Sequence, residues 1–128
     1  MNAFHAFLFG DEAEISEQEA FDKIEKWFSH SPGITITKDS NPFTKANVLK
    51  ITADEKYVTS FQFEKSNVVA EDYLAISNSK EMPIARVRVL MGPDENSDYD
   101  DVAVMVLQLL SEFTITPIYN VTAKHFIT

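Results

Sequence analysis

The chain has 128 residues, twenty acids against eleven bases for a formal charge of −9, and no cysteine. One domain spanning residues 1–128 fits that length, burying about two-thirds of its unfolded surface, and 45% hydrophobic residues with ten phenylalanines are too apolar for a disordered chain. Disulfides, thiolate zinc sites and a Cys nucleophile are excluded, and the acidic balance argues against nucleic acid and anionic membranes as direct partners.

In chain order, Phe4 to Phe9 is a short aromatic run closed by Gly10, a predicted buried strand. It has no basic residues before it, so it reads as a strand rather than a signal peptide, and cytoplasmic residence is the expectation. Ser16 with Glu19 three residues on forms a capping box. Ala20, Phe21, Ile24, Trp27 and Phe28 then recur at helical spacing until Ser31-Pro32-Gly33 stops the helix, with Trp27 and Phe28 facing the core.

Ile34 to Thr37 alternates as a half-buried strand, and Asp39-Ser40-Asn41-Pro42 supplies a loop. Val48 to Ala53 and Val58 to Glu64 pair as a hairpin turning near Asp54-Glu55-Lys56. Val68 to Ser77 fits either a short helix or another strand. In the strand Ile84 to Met91, Arg86 and Arg88 share one face and Val87, Val89 and Met91 the other. From about Asp98 a helix presents Val102, Met105, Val106, Leu109, Leu110 and Phe113 over a broad face, and Thr116 to Val121 returns as a strand. The apolar stretch Val102 to Ser111 is far below the roughly 18–20 residues that span a bilayer.

This order predicts an α+β fold of ferredoxin-like character: a mainly antiparallel sheet with two helices on one face, and strands 4–9 and 84–91 parallel. Eleven acids lie in two segments. Asp11, Glu12, Glu14, Glu17, Glu19 and Asp22 follow the first of these strands; Asp94, Glu95, Asp98, Asp100 and Asp101 follow the second. Parallel strands would pool both segments at one end of the sheet.

Motifs for chemistry are absent from the sequence. His5, His30 and His125 have no metal-ligand spacing, no nucleophile elbow is present, and glycines only at 10, 33 and 92 cannot write a phosphate loop. No catalytic residue, cofactor or metal is expected. Asp94, Asn96 and Asp98 match the first three ligands of a calcium loop, but Tyr99 stands where the turn glycine belongs and Met105 where the bidentate Glu belongs. The Asn120-Val121-Thr122 sequon matters only in a secreted chain. Acids in the first turn of a helix stabilise it through the dipole, with Asp98 or Asp100 as a candidate N-cap, yet eleven exceed what capping requires. Tyr99 among them suits an interface anchor or a ring laid over the helix start.

The single cysteine-free α/β domain, the aromatic strand Phe4-His5-Ala6-Phe7-Leu8-Phe9 and the acidic Asp98-Tyr99-Asp100-Asp101 ahead of the apolar helix resemble the small cytoplasmic immunity proteins of bacterial polymorphic toxin and contact-dependent growth inhibition systems. The resemblance implies a non-enzymatic toxin inhibitor that binds a cognate toxin domain, basic where that toxin is a nuclease. Asp94, Glu95, Asp98, Tyr99, Asp100, Asp101, Glu12 and Glu14 are the expected partner-binding residues. The alternative is a small regulatory domain that self-associates or holds an anionic metabolite, for which Arg86 and Arg88 are candidates when not paired with neighbouring acids.

Overall fold

The structure is a computed structural model that describes residues 2–127; Met1 and Thr128 lie outside the described residues. β1 (Asn2–Leu8) leads through a 3-10 turn (Gly10–Glu14) to α1 (Glu17–Phe28). β2 (Ile34–Ser40), β3 (Asn47–Ala53) and β4 (Tyr57–Lys65) follow, then α2 (Asn67–Ser77), β5 (Ala85–Met91), α3 (Asp100–Ser111), β6 (Ile118–Asn120) and β7 (His125–Ile127). The seven strands form one sheet in the order β2-β3-β4-β5-β1-β6-β7, every neighbouring pair antiparallel.

The helices form for local reasons. Ser16 Oγ accepts the Glu19 amide at 3.1 Å while Glu19 Oε1 accepts the Ser16 amide at 3.4 Å, so the capping box closes the start of α1. Ala20, Phe21, Ile24 and Phe28 then share its buried face. Val102, Val106, Leu109 and Leu110 repeat at the same period in α3. Both helices cover the sheet face that carries Phe4, Ala6, Leu8, Leu49, Ile51, Phe61, Val87, Val89 and Met91. Burying each of the larger of these side chains contributes about 1.5–3 kcal/mol, and Phe28 meets Phe61 with ring centroids 6.1 Å apart.

The ambiguous segment Val68 to Ser77 is helical, and α2 lies on the opposite face. Its Val69 and Tyr73, one turn apart, pack on Phe7 of β1, with Phe9, Tyr119 and Phe126 around them. Asn78 ends α2 in the left-handed conformation, returning its amide to the Leu74 carbonyl at 3.0 Å.

The two-helix, ferredoxin-like arrangement expected from the sequence is therefore incorrect. The described residues form three α-helices, α2 occupies the second face, and β1 and β5 are antiparallel rather than parallel, with Asn2 opposite Met91 and Leu8 opposite Ala85. The physical reason lies in the connection between β4 and β5. After α2 the chain returns through residues 78–84, and the Ser66 amide donates to the Ile84 carbonyl at 3.1 Å. β5 thus starts where β4 stops and runs back beside it, as in a wide hairpin. One reversal more or less in this segment inverts β5 relative to β1, and hydrophobic periodicity carries no information on that parity. A second short strand, β7, also escaped the sequence reading, and it pairs with β6 across Ile118–Ile127 to Asn120–His125.

Candidate functional site

Because β1 and β5 are antiparallel, the two acidic segments sit at opposite ends of the sheet, and the single pooled patch expected of them does not form. Asp11, Glu12 and Glu14 follow Leu8. Asp94 to Asp101 follow Met91, at the other end. Glu12 is engaged by the fold: its Oε2 accepts the Thr114 hydroxyl at 3.0 Å and its Oε1 the Ile115 amide at 3.2 Å. It thereby ties the turn after β1 to the chain leaving α3. Asp11 and Glu14 are exposed beside it.

The Met91 end gains different acids instead. β3 and β4 meet there in a turn where Asp54 and Glu55 both take positive φ, 53° and 61°. Gly33 comes close to this turn, its carbonyl accepting the Asp54 amide at 2.9 Å. A Cβ at position 33 would stand 3.2 Å from Asp54 Oδ1, and the φ of 75° is one that glycine alone adopts readily. Asp54 and Glu55 therefore join Asp94, Glu95, Asp98, Asp100 and Asp101 at one end of the sheet. Sequence reasoning placed them only in a hairpin turn; the antiparallel strand order is what assigns them to this surface.

An aromatic pair lies among these acids. Tyr57 is buried and donates its hydroxyl to the Gly92 carbonyl at 2.8 Å. The half-buried Tyr99 ring stacks on it, with centroids 4.4 Å apart and planes 6° from parallel. Tyr99 is also the N-cap of α3, its carbonyl accepting the amides of Val102 and Ala103, so neither Asp98 nor Asp100 holds that position. Asp94 organises the approach: its Oδ1 accepts the Asp98 amide at 2.9 Å and its Oδ2 the Tyr99 amide at 2.8 Å. The carboxylate read as a first calcium ligand is thus occupied by backbone. Burial raises the hydroxyl pKa of Tyr57, with Asp94 and Asp100 adding to it; burial and then Asp54, Asp98 and Asp94 do the same for Tyr99. Both phenols remain neutral donors well above neutral pH.

Asp54, Asp98, Tyr99 and Asp101, with Pro32 and Met105, line a cavity of about 300 Å³ at this end. Among the described residues, none of the seven carboxylates here is in an ion pair. Glu25, Asp39, Glu64 and Asp72 all are.

The arginines of β5 divide. Arg86 is 3% exposed and is fully engaged: Nε and Nη2 donate to Glu64 Oε2 at 3.0 and 2.9 Å, and Nη1 to Asp72 Oδ2 at 2.8 Å. It fastens α2 to β4 and β5. Arg88 stands in the open, reaching Glu64 only at 3.5 Å. His5, beside both, has its pKa lowered to about 4 by burial first and by the two guanidinium groups second, and is neutral at pH 7. His30 and His125 are exposed.

No protein-family model and no curated protein matches this chain. Among solved structures, the open form of the exocytosis-sensitive phosphoprotein pp63/parafusin, a phosphoglucomutase from Paramecium, is similar over 90% of this chain at a TM-score of 0.47 and 9% identity. The match spans 21% of that much longer chain. No helix among the described residues is long and apolar enough to cross a membrane.

Proposed function

We propose that this chain is an immunity protein, a stoichiometric inhibitor that neutralises a bacterial toxin domain by docking its acidic end on a basic face of the toxin. The observation that carries the reading is the group of seven carboxylates, in no ion pair among the described residues, gathered around the stacked Tyr57–Tyr99 pair. Like charges so gathered repel one another and raise the energy of the free protein, and a basic partner relieves that repulsion. Long-range attraction speeds the encounter, while a fixed aromatic surface at the centre of the carboxylates slows release.

The docking residues in this reading are Asp54, Glu55, Glu95, Asp98, Tyr99, Asp100 and Asp101. Asp94 acts through the backbone it holds, and Glu12 and Glu14 lie outside the surface. A nuclease toxin supplies the complementary face, since a cleft built for a phosphate backbone is lined with Lys and Arg. The resemblance of the sequence to immunity proteins supports the same choice.

The test is titration of this protein into the activity of a candidate cognate toxin domain taken from a neighbouring gene. Inhibition complete at one equivalent, weakened by Asp98→Asn/Asp100→Asn/Asp101→Asn, is the expected result. Undiminished inhibition by the triple variant would remove the acidic end from the mechanism.

A further inference from the structure

The sheet face opposite α1 and α3 is only partly covered. α2 covers the part around Phe7 and Arg86, and beyond it the faces of β5, β4 and β3 stay open. Strand register places the side chains there in two rows. His5 is opposite Arg88, and Arg88 opposite Gln62. In the next row Ala3 is opposite Leu90, Leu90 opposite Ser60, and Ser60 opposite Lys50. Neighbours within such rows stand about 5 Å apart, so the polar groups of both rows converge on one small area. The end of β2 and its loop, Asp39 to Pro42, rise as a wall, and the enclosed cavity measures about 370 Å³. That is the size of a small-metabolite site.

We infer that this cavity binds a small organic oxyanion, a carboxylate or phosphate monoester, through the open guanidinium of Arg88 with Lys50, Gln62 and Ser60 around it. The inference is independent of the docking surface at the acidic end.

Three observations support it. The carboxylate nearest Arg88 is already engaged, since Glu64 Oε2 takes two short bonds from Arg86 and only the 3.5 Å contact from Arg88. Most of the planar donor fork of Arg88 therefore remains available for an incoming oxyanion, the geometry in which Arg surpasses Lys. Lys50 lies 3.4 Å from Asp39 Oδ2, and Asp39 Oδ1 accepts the Ser40 amide at 2.8 Å, so these two charges are partly spent on each other and Arg88 is the principal cation for an incoming oxyanion. Finally, His5 stays neutral: burial lowers its pKa most, and Arg86 and Arg88 lower it further against the opposing Asp72 and Glu64. The flanking Val48 and half-exposed Leu90 suit an apolar body behind the anionic head.

The experiment is a titration of the ¹⁵N-labelled protein, followed by amide chemical shifts, with inorganic phosphate in one arm and hexanoate in the other. Saturable shifts confined to residues 3–5, 48–50, 60–62 and 88–90 are expected. Saturation by phosphate alone assigns a phosphate head with no need of an apolar body, and saturation by hexanoate alone or more tightly assigns a carboxylate with one. Arg88→Gln weakens either by about tenfold or more, the worth of a charge-assisted hydrogen bond. Lys50→Gln weakens it less, and Lys26→Gln, on the exposed side of α1 across the sheet, leaves it unchanged. Thermal melting confirms that each variant is folded; should Arg88→Gln fail that check, Lys50→Gln carries the test. Shifts that never saturate in either arm, or equal affinity in the folded variants, would overturn the assignment.

Discussion

The two acidic ends of the sheet look alike in sequence and differ in what their carboxylates do. At the Leu8 end, Glu12 holds Thr114 and Ile115 and so joins the start of the chain to its last third. At the Met91 end Asp94 is engaged by two amides, and among the described residues its six neighbours are in no ion pair. Glu64 and Asp72 extend the first kind of use, since both are fastened to the buried Arg86. Density of charge along the chain thus says little about availability; the hydrogen bonds decide it.

The largest effect should come from the most engaged carboxylate. Glu64→Ala leaves the Arg86 guanidinium, buried and half-compensated, and costs about 3 kcal/mol of stability, read as a fall in the urea midpoint. Next comes Glu12→Ala, which leaves the part-buried Thr114 hydroxyl without its acceptor and releases the exposed Ile115 amide to water, and costs about 1 kcal/mol; a loss no larger than that of an exposed surface acid would erase the difference between the two ends.

The buried side of the comparison also has a pH signature. His5 titrates at about pH 4 when folded and at 6.5 when unfolded. Between those values the unfolded chain binds more protons, so this contribution is fully present above pH 6.5 and is lost as the pH falls toward 4. His5→Gln should flatten the slope of stability against pH in that window. An unchanged slope would mean that His5 is not shielded beside the arginines. The smallest effect belongs to the free acids: Asp98→Asn changes stability by no more than about 0.5 kcal/mol, measured by the same urea midpoint, whatever it does to binding.

Much of this architecture is legible in the sequence. The capping box of Ser16 and Glu19, the apolar faces of α1 and α3, the hairpin of β3 and β4, and the sharing of one face by Arg86 and Arg88 all follow from local pattern, because each depends on residues within a turn or a strand of one another. The relative direction of β1 and β5 depends on the whole path between them, above all on α2 and the return through residues 78–84, and no local signal encodes it. The error in the site follows from that. Asp98, Tyr99, Asp100 and Asp101 are where a helix start should place them, but Asp54 and Glu55 reach the same surface only through antiparallel order, and Glu12 and Glu14 leave it for the same reason. The stacking of Tyr57 on Tyr99 joins residues 42 positions apart and had no sequence signal.

The central claim, that the acidic end at Met91 and not the one at Leu8 meets the partner, is tested most directly by association kinetics. The on-rate for the proposed toxin partner would be measured against ionic strength for the wild type, for Asp98→Asn/Asp100→Asn/Asp101→Asn, and for Asp11→Asn/Glu14→Gln. The first variant is expected to associate about tenfold or more slowly at low salt and to lose most of its salt dependence, while the second keeps both. Equal rates for the two variants, or a loss only in the second, would contradict it.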